Sequence, residues 1–305
     1  MADSVTFATS AAAGEPWHSC VLLARSLRRL GGGLSRSRML VFARPSSEGP
    51  SPSARRALDA AGTELVGYDM PPGPAALPYA ELAFAAAAAE ECCEWQSETL
   101  VWMAADTLVL REPLALRLEA GKSFGYRPVH HRLIGSLWDE PVDPFWSLIY
   151  EQCGVTEKHL FAMPTCTEAQ PIRPYFNAGL LVVRPERGLL RGWRDEVLRL
   201  SRLPVWDPFF ADGWRYRVFF HQAVLAGAVL SRADRVELQL LPPSVNYPLN
   251  LHGSVPEARR PRLLDELTTA RYDDLRETAW CTTLPASPAL RSWLEPQLAE
   301  ARADA

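Results

Sequence analysis

The residues of this 305-residue chain that could do chemistry fall at a few separated places. Asp106 follows the apolar run Val101-Trp-Met and precedes a second one, Thr107-Leu-Val-Leu, so it reads as a carboxylate at the carboxyl end of a buried strand. Sheets of α/β type bind ligands at that edge. Asn177-Ala178-Gly179 opens another apolar run, and its small residues let backbone approach a ligand while the amide can donate and accept. His221-Gln222 is a polar pair inside an otherwise apolar helix, and His252-Gly253 places an imidazole after a proline-rich turn. Each has a plainer reading. Asp106 suits a turn cap, Asn-Ala-Gly an ordinary β-turn, and the His-Gln pair a solvated helix face. His130-His131 look like metal ligands, but neighbours on extended chain point to opposite faces, so they do not form a joint site. Arg259, Arg260 and Arg262 could grip phosphate bidentately or simply line a solvated loop.

The elements that must position these residues follow from periodicity. Val5 to Phe7 is a strand running into the polar turn around Thr9 and Ser10, and Pro16 starts a helix that Gly31 ends. Strands at Met39–Phe42 and Glu64–Val66 flank a short helix over Ser53–Ala61. That βαβαβ alternation predicts a mainly parallel sheet covered on both faces. An alanine-rich helix over Tyr79–Trp95 leads into the strand Thr99–Met103. Beyond Pro113 come a strand over Ser123–Val129 and a helix capped by Asp143 and ended by Gly154. A buried strand to Val183, an amphipathic helix over Glu186–Leu200, a Trp- and Phe-rich loop at Trp206–Trp214, a helix carrying His221-Gln222 and a strand at Leu238–Leu241 complete the pattern. The tail after Pro285 reads as a short helix, then disorder over 301–305.

Composition narrows the class. With 48% hydrophobic residues the chain can bury one sizeable core, and a net charge of −4 argues against a nucleic-acid partner. Arginine dominates the cations, since Lys122 and Lys158 are the lysines. The six cysteines show no Cys-x-x-Cys spacing, which disfavours structural zinc and fits reduced thiols in the cytoplasm. The first residues lack a basic start and an apolar run, so no signal peptide is expected, and no apolar stretch is long enough for a transmembrane segment. No Gly-x-Gly-x-x-Gly follows a strand and no Gly-x-Ser-x-Gly is present, which excludes the usual dinucleotide oxidoreductase and α/β-hydrolase signatures.

Taken in order, the opening strand and helix, Trp102-Met-Ala-Ala-Asp-Thr-Leu-Val-Leu110, Tyr175-Phe-Asn-Ala-Gly-Leu180, and His221-Gln222 with the later Leu-Pro and Asn-Tyr segments resemble the GT-A glycosyltransferases, most closely the glycogenin and bacterial galactosyltransferase branch. The resemblance spans roughly residues 4 to 253. It implies a single α/β domain over 1–300, Rossmann-like, with a mainly parallel central sheet flanked by helices. Residues 4–113 would form the nucleotide-binding half and 114–285 the donor-sugar and acceptor half.

By the same resemblance, the enzyme would move a sugar from a nucleotide-diphosphate donor, UDP by default, to an acceptor hydroxyl, with retention of anomeric configuration. Thr9 and Ser10 would meet the nucleoside; Asp106 and His252 would face the diphosphate and any Mn or Mg ion. Asn177, Ala178, Gly179, His221 and Gln222 would hold the donor sugar, with Gln222 and Asn177 as the catalytic candidates. The acceptor, whether glycan, small molecule or protein, is not legible. Two departures from the family pattern matter: its Asp-x-Asp has become Ala104-Ala-Asp106, and its Asp-Gln has become His221-Gln222. Both remove negative charge, which implies weak or absent metal dependence. The competing reading is a catalytically inactive scaffold or regulatory protein.

Overall fold

A computed structural model describes residues 4–11, 17–45, 48–274 and 284–303. Its centre is a seven-stranded sheet. In chain order the strands are β1 Val5–Ser10, β2 Arg38–Ala43, β3 Glu64–Gly67, β4 Thr99–Met103, β5 Thr107–Val109, β6 Phe124–Pro128, β7 Met163–Pro164, β8 Pro171–Ile172, β9 Phe176–Val183, β10 Leu238–Leu240, β11 Tyr247–Pro248 and β12 Thr269–Arg271. The central sheet runs β10-β6-β9-β4-β1-β2-β3. Pairings β1 with β2 and β4, β2 with β3, and β10 with β6 are parallel; β9 runs antiparallel between β4 and β6. The expected mainly parallel α/β sheet is therefore what forms, with one reversed strand at its middle.

The helices are α1 Trp17–Leu30, α2 Pro52–Ala60, α3 Glu81–Cys93, α4 Pro144–Cys153, α5 Leu189–Leu200, α6 Asp207–Asp212 and α7 Trp214–Leu230, followed by a C-terminal helix Pro288–Ala303. Local chemistry explains their ends. Ser51 caps α2 through the Ala54 N–H with Pro52 at its first turn. Asp143 caps α4 through the Trp146 N–H, and Gly154 at φ 72° ends it in the left-handed region. Pro16, the expected start of α1, lies outside the described residues. Two expectations are corrected. The Trp- and Phe-rich segment is not a loop: it forms α6 and leads directly into α7 at Trp214, because Phe209 and Phe210 pack on the helical core. The last helix runs through Ala303, past the expected onset of disorder, because Leu290, Leu294 and Leu298 are buried.

Burial divides the interior by face. One cluster lies between the sheet and α3, α4, α5 and α7, with Trp102, Trp146, Trp193 and Trp206 fully buried in it. A second joins the other face to α1 and α2. A third sits where a small sheet, β11-β12-β5, meets the C-terminal helix. Buried strands without alternation are what a sheet covered on both sides requires.

The strand β9 contains the irregularity that matters most. Between the pairs Tyr126↔Leu181 and Pro128↔Phe176, β6 advances two residues while β9 steps back five. Side-chain direction changes parity across this bulge: Ala178 joins the α3–α7 cluster while Leu180 joins the α1 cluster. A bulge bends the strand and releases backbone groups from the ladder. Its residues are Asn177, Ala178 and Gly179.

Candidate active site

The bulge is held open by contacts from three sides. The Asn177 carbonyl oxygen Oδ1 accepts from the Gly179 N–H at 2.8 Å, and Gln222 Oε1 from α7 accepts from the Ala178 N–H at 3.0 Å. The Ala104 N–H, just past β4, donates to the Gly179 carbonyl at 2.8 Å. These bonds satisfy backbone groups that the interrupted ladder leaves unpaired. They also fix the Gln222 amide, whose oxygen must face β9 while its nitrogen points the other way. Asn177 and Gln222 are buried, so the solvated-face reading of the His-Gln pair does not hold.

His221 is buried beside Gln222. Its Nδ1 lies 2.9 Å from the Val218 carbonyl, and its ring tilts against Tyr79 at 5.7 Å and Trp193 at 6.3 Å between centroids. Burial pushes its pKa down to about 4, partly offset by that carbonyl. The imidazole is therefore neutral near pH 7, and the position carries no charge where the resembled family has an acid. Tyr79 is exposed and holds φ at 58°, a backbone conformation rare for a bulky side chain.

Asp106 sits in the tight turn between β4 and β5, buried, as the sequence suggested. Its partner was not foreseen. Arg271 on β12 grips both carboxylate oxygens: Nε lies 2.9 Å from Oδ1 and 3.0 Å from Oδ2, and Nη2 lies 2.6 Å from Oδ2. The small sheet makes this possible, because β12 runs antiparallel to β5 with Arg271 opposite Thr107. The Tyr272 N–H also donates to the Asp106 carbonyl at 3.1 Å. Gly179 completes the contact. A β-carbon there would lie 2.5 Å from Arg271 Nη1 and 2.9 Å from Asn177 Oδ1, so only glycine lets the bulge and the guanidinium share this space. Asp106, Arg271, Asn177, Ala178, Gly179 and Gln222 thus form one connected set.

His130 belongs beside this set. Its Nε2 lies 3.2 Å from the Asn246 carbonyl. Burial, then the charge of Arg271, press its pKa down to about 3, and the charge of Arg127 acts the same way. Arg127 is buried: Nη1 donates to the Leu241 carbonyl at 2.7 Å and Nη2 to Cys166 Sγ at 3.3 Å. Asn246 is buried at φ 55°, and neither polar atom of its side-chain amide has a hydrogen-bond partner among the described residues. His131 turns away to Glu168 at 3.0 Å, as opposite faces of an extended chain require.

The remaining expected positions lie on β1 and in the turn that follows β11. Thr9 and Ser10 are buried at the carboxyl end of β1, and the Thr9 hydroxyl has no partner among the described residues. His252 lies in the 3-10 turn Leu249–Ser254, its Nδ1 2.9 Å from the Tyr247 hydroxyl, with its pKa lowered by burial and then by Arg260. Arg259 and Arg260 brace their own surroundings, donating to the carbonyls of Cys166 and of Val255 and Gly253.

A divalent cation needs several oxygen or imidazole donors converging on it. Among the described residues no three His, Cys, Asp or Glu side chains do so. Ala104 offers no carboxylate, both Asp106 oxygens already accept from Arg271, and His252 Nδ1 is engaged by Tyr247. The described residues do not fit such an ion.

Sequence reasoning missed Arg271, Arg127, His130 and Asn246 as a group. Two signals pointed there, His130-His131 and the Asn-Tyr segment, but nothing local marks Arg271, which lies 165 positions from Asp106.

The sequence matches the model of the Rhodobacterales glycosyltransferase domain over residues 11–215. No curated protein matches it. Among solved structures it is similar to the galactosyltransferase LgtC in complex with donor and acceptor sugar analogues, at 16% identity and TM-score 0.50, over 98% of this chain and 94% of that one. An active-site glutamine-to-glutamate mutant of LgtC gives 15% identity and TM-score 0.50, over 98% and 95%. Mouse xyloside xylosyltransferase 1 in its apo form matches at 11% identity and TM-score 0.45, over 88% and 97%. At such identities the structural matches speak for the fold, which is that of GT-A glycosyltransferases. With the family model covering both β4–Asp106 and the β9 bulge, the chain belongs to the Rhodobacterales glycosyltransferase domain family and to its transferase enzymes.

Proposed function

We propose that this glycosyltransferase moves a sugar from a nucleoside-diphosphate donor, with uridine the first nucleoside to test, to a hydroxyl of its acceptor, with weak or absent metal dependence. The observation that carries the reading is the β9 bulge, pinned by Gln222 and opening beside Asp106 and Arg271 at the carboxyl ends of the parallel strands. Thr9 and Ser10 at the end of β1 would face the nucleoside, and Asn177, Ala178, Gly179 and Gln222 the sugar. The LgtC complex holds donor and acceptor sugar analogues, and the LgtC mutant replaces an active-site glutamine, a residue type that Gln222 would supply here.

In the transfer, the bond from the anomeric carbon to the diphosphate oxygen breaks, and that oxygen keeps the electron pair. The acceptor hydroxyl oxygen bonds to the same carbon, and its proton passes to the leaving diphosphate or to solvent. The protein's contribution is to position donor and acceptor and to stabilise charge on the leaving diphosphate. His221, neutral and buried behind Gln222, supports α7 rather than carrying charge. The second reading, an inactive scaffold, draws on the acids missing at Ala104 and His221. Incubation with a panel of nucleotide sugars, following release of nucleoside diphosphate, separates the two. Release above the uncatalysed rate, lost in Gln222→Ala, is expected; no release from any donor, with no binding of any nucleoside diphosphate, would leave the scaffold reading.

A further inference from the structure

The Asp106–Arg271 pair does not exhaust the charge around it. His130 lies within electrostatic reach of Arg271 and Arg127 together. Arg127 is only 7% exposed, makes no ion pair among the described residues, and its Nε has no hydrogen-bond partner. The guanidinium of Arg127 is therefore buried without a carboxylate partner among the described residues, near the Asp106–Arg271 pair. A buried guanidinium without a counter-ion is costly, and an anion bound alongside would compensate it. The Asn246 amide, buried with neither polar atom bonded among the described residues, is a second group able to take a ligand at the same place, since its carbonyl contacts His130 and its N–H donates to Thr269 of β12 at 2.8 Å.

Guanidinium suits this task. Its planar array of donors matches phosphate oxygens bidentately and stays charged at all working pH values. Asp106 grips Arg271 from one side and Gly179 admits it from the other, so its position is set before any ligand arrives. A positioned cation that needs no reorganisation is what stabilisation of a leaving group requires.

We propose that Arg271, held by Asp106 and backed by Arg127, supplies the positive charge that neutralises the donor's diphosphate, so that this site works without a divalent cation. The proposal rests on the donor-site reading above and deepens it. Asp106 becomes a positioning residue for Arg271, where the family pattern would have it ligate a metal. Arg271 becomes the residue that contacts the diphosphate.

The test is binding measured by calorimetry and thermal shift on the full chain, with UDP, UMP and inorganic pyrophosphate as probes. Each is run with EDTA and with manganese. UDP and pyrophosphate are expected to bind equally in both, and UDP more tightly than UMP. Arg271→Met should weaken both diphosphate probes by about ten- to a hundredfold, the range for losing hydrogen bonds to a charged group. Arg271→Lys should recover part of the loss. Asp106→Asn should weaken diphosphate binding less than Arg271→Met does, because it loosens the hold on the cation without removing it. Circular dichroism and the melting temperature without ligand report whether each variant folds. Binding that requires manganese, or that survives Arg271→Met and fails in Asp106→Asn, would overturn the proposal. If pyrophosphate binds as expected while no nucleoside diphosphate does, the donor reading fails and the anion site stands. If nucleoside diphosphates bind only with manganese, the donor reading stands and the anion site fails.

Discussion

Gly179 is the narrowest point of the site, since any side chain there meets Arg271 and Asn177 at once. Arg271 cannot swing aside cheaply because Asp106 holds it at both oxygens. Gly179→Ala is therefore expected to destabilise the fold by about 1–3 kcal/mol, the usual range for overpacking. It should also weaken UDP binding; a melting curve and a titration check both, and an unchanged titration would mean that the guanidinium moves freely. His221 gives a prediction in pH. Its pKa is about 4 in the folded chain against an ordinary 6.5, so the unfolded chain takes up the proton first as pH falls. The stability it contributes is intact above about 6.5 and is lost as pH falls from there through about 4. His130, at about 3, acts with the same sign. Glu90, raised to about 7 chiefly by burial, acts with the opposite sign, stabilising below its ordinary 4.5 and losing that as pH rises through 7. Comparing wild type with His221→Asn cancels the other groups. The stability difference should be flat above pH 6.5 and should shift against the wild type below it.

Among the elements, α3 and α5 are tied by a buried acid. Glu90 on α3 accepts from the N–H groups of Leu190 and Arg191 at 3.1 and 2.8 Å, which are first-turn donors of α5, and it also meets the Arg191 side chain. Gly188 before that helix offers no side-chain cap, so Glu90 does the capping from another element. Glu90→Ala should cost about 1–3 kcal/mol by leaving those donors unsatisfied in the core. Chemical denaturation measures it, and a loss no larger than that of an exposed Glu151→Ala control would refute the cap. The helix pair α4–α7 is as tight: a β-carbon on Gly227 would lie 2.6 Å from Cys153 Sγ. Elements also explain which sequence readings failed. The segment Trp206–Trp214 carries aromatic density without a clear period, and it is packing of Phe209 on Phe145 and Trp206 that makes it helical. The strand β12 is three residues long, too short for any periodic pattern to announce it.

At the scale of the molecule, the C-terminal helix closes the third core cluster over the sheet that presents Arg271. It packs on α1, where Arg25 meets Glu300 at 2.6 Å and Gln297 at 3.0 Å. Removing residues 288–305 would delete Leu290, Leu294 and Leu298, whose burial is worth about 1.5–3 kcal/mol each, and would uncover the cluster they close. The truncated chain is expected to melt at markedly lower temperature and to bind UDP more weakly, because β12 loses its backing. An unchanged melting temperature in differential scanning calorimetry would show the helix to be dispensable. No helix among the described residues is long and apolar enough to cross a membrane.

Local pattern marked out the apolar strands at the centre of the sheet and the capped ends of helices: Thr99–Met103 and the Asp143 and Gly154 ends of α4 are placed as read. It also located Asp106, Asn177, Gly179 and Gln222, since each departs in chemistry from the apolar run around it. Tertiary structure alone decided what those residues meet. The bulge in β9 depends on a register against β6, and the Asp106–Arg271 contact depends on a strand pairing across 165 positions. Local periodicity carries no information about such pairings; they are fixed only when buried polar groups must find partners at the same moment that the apolar faces close.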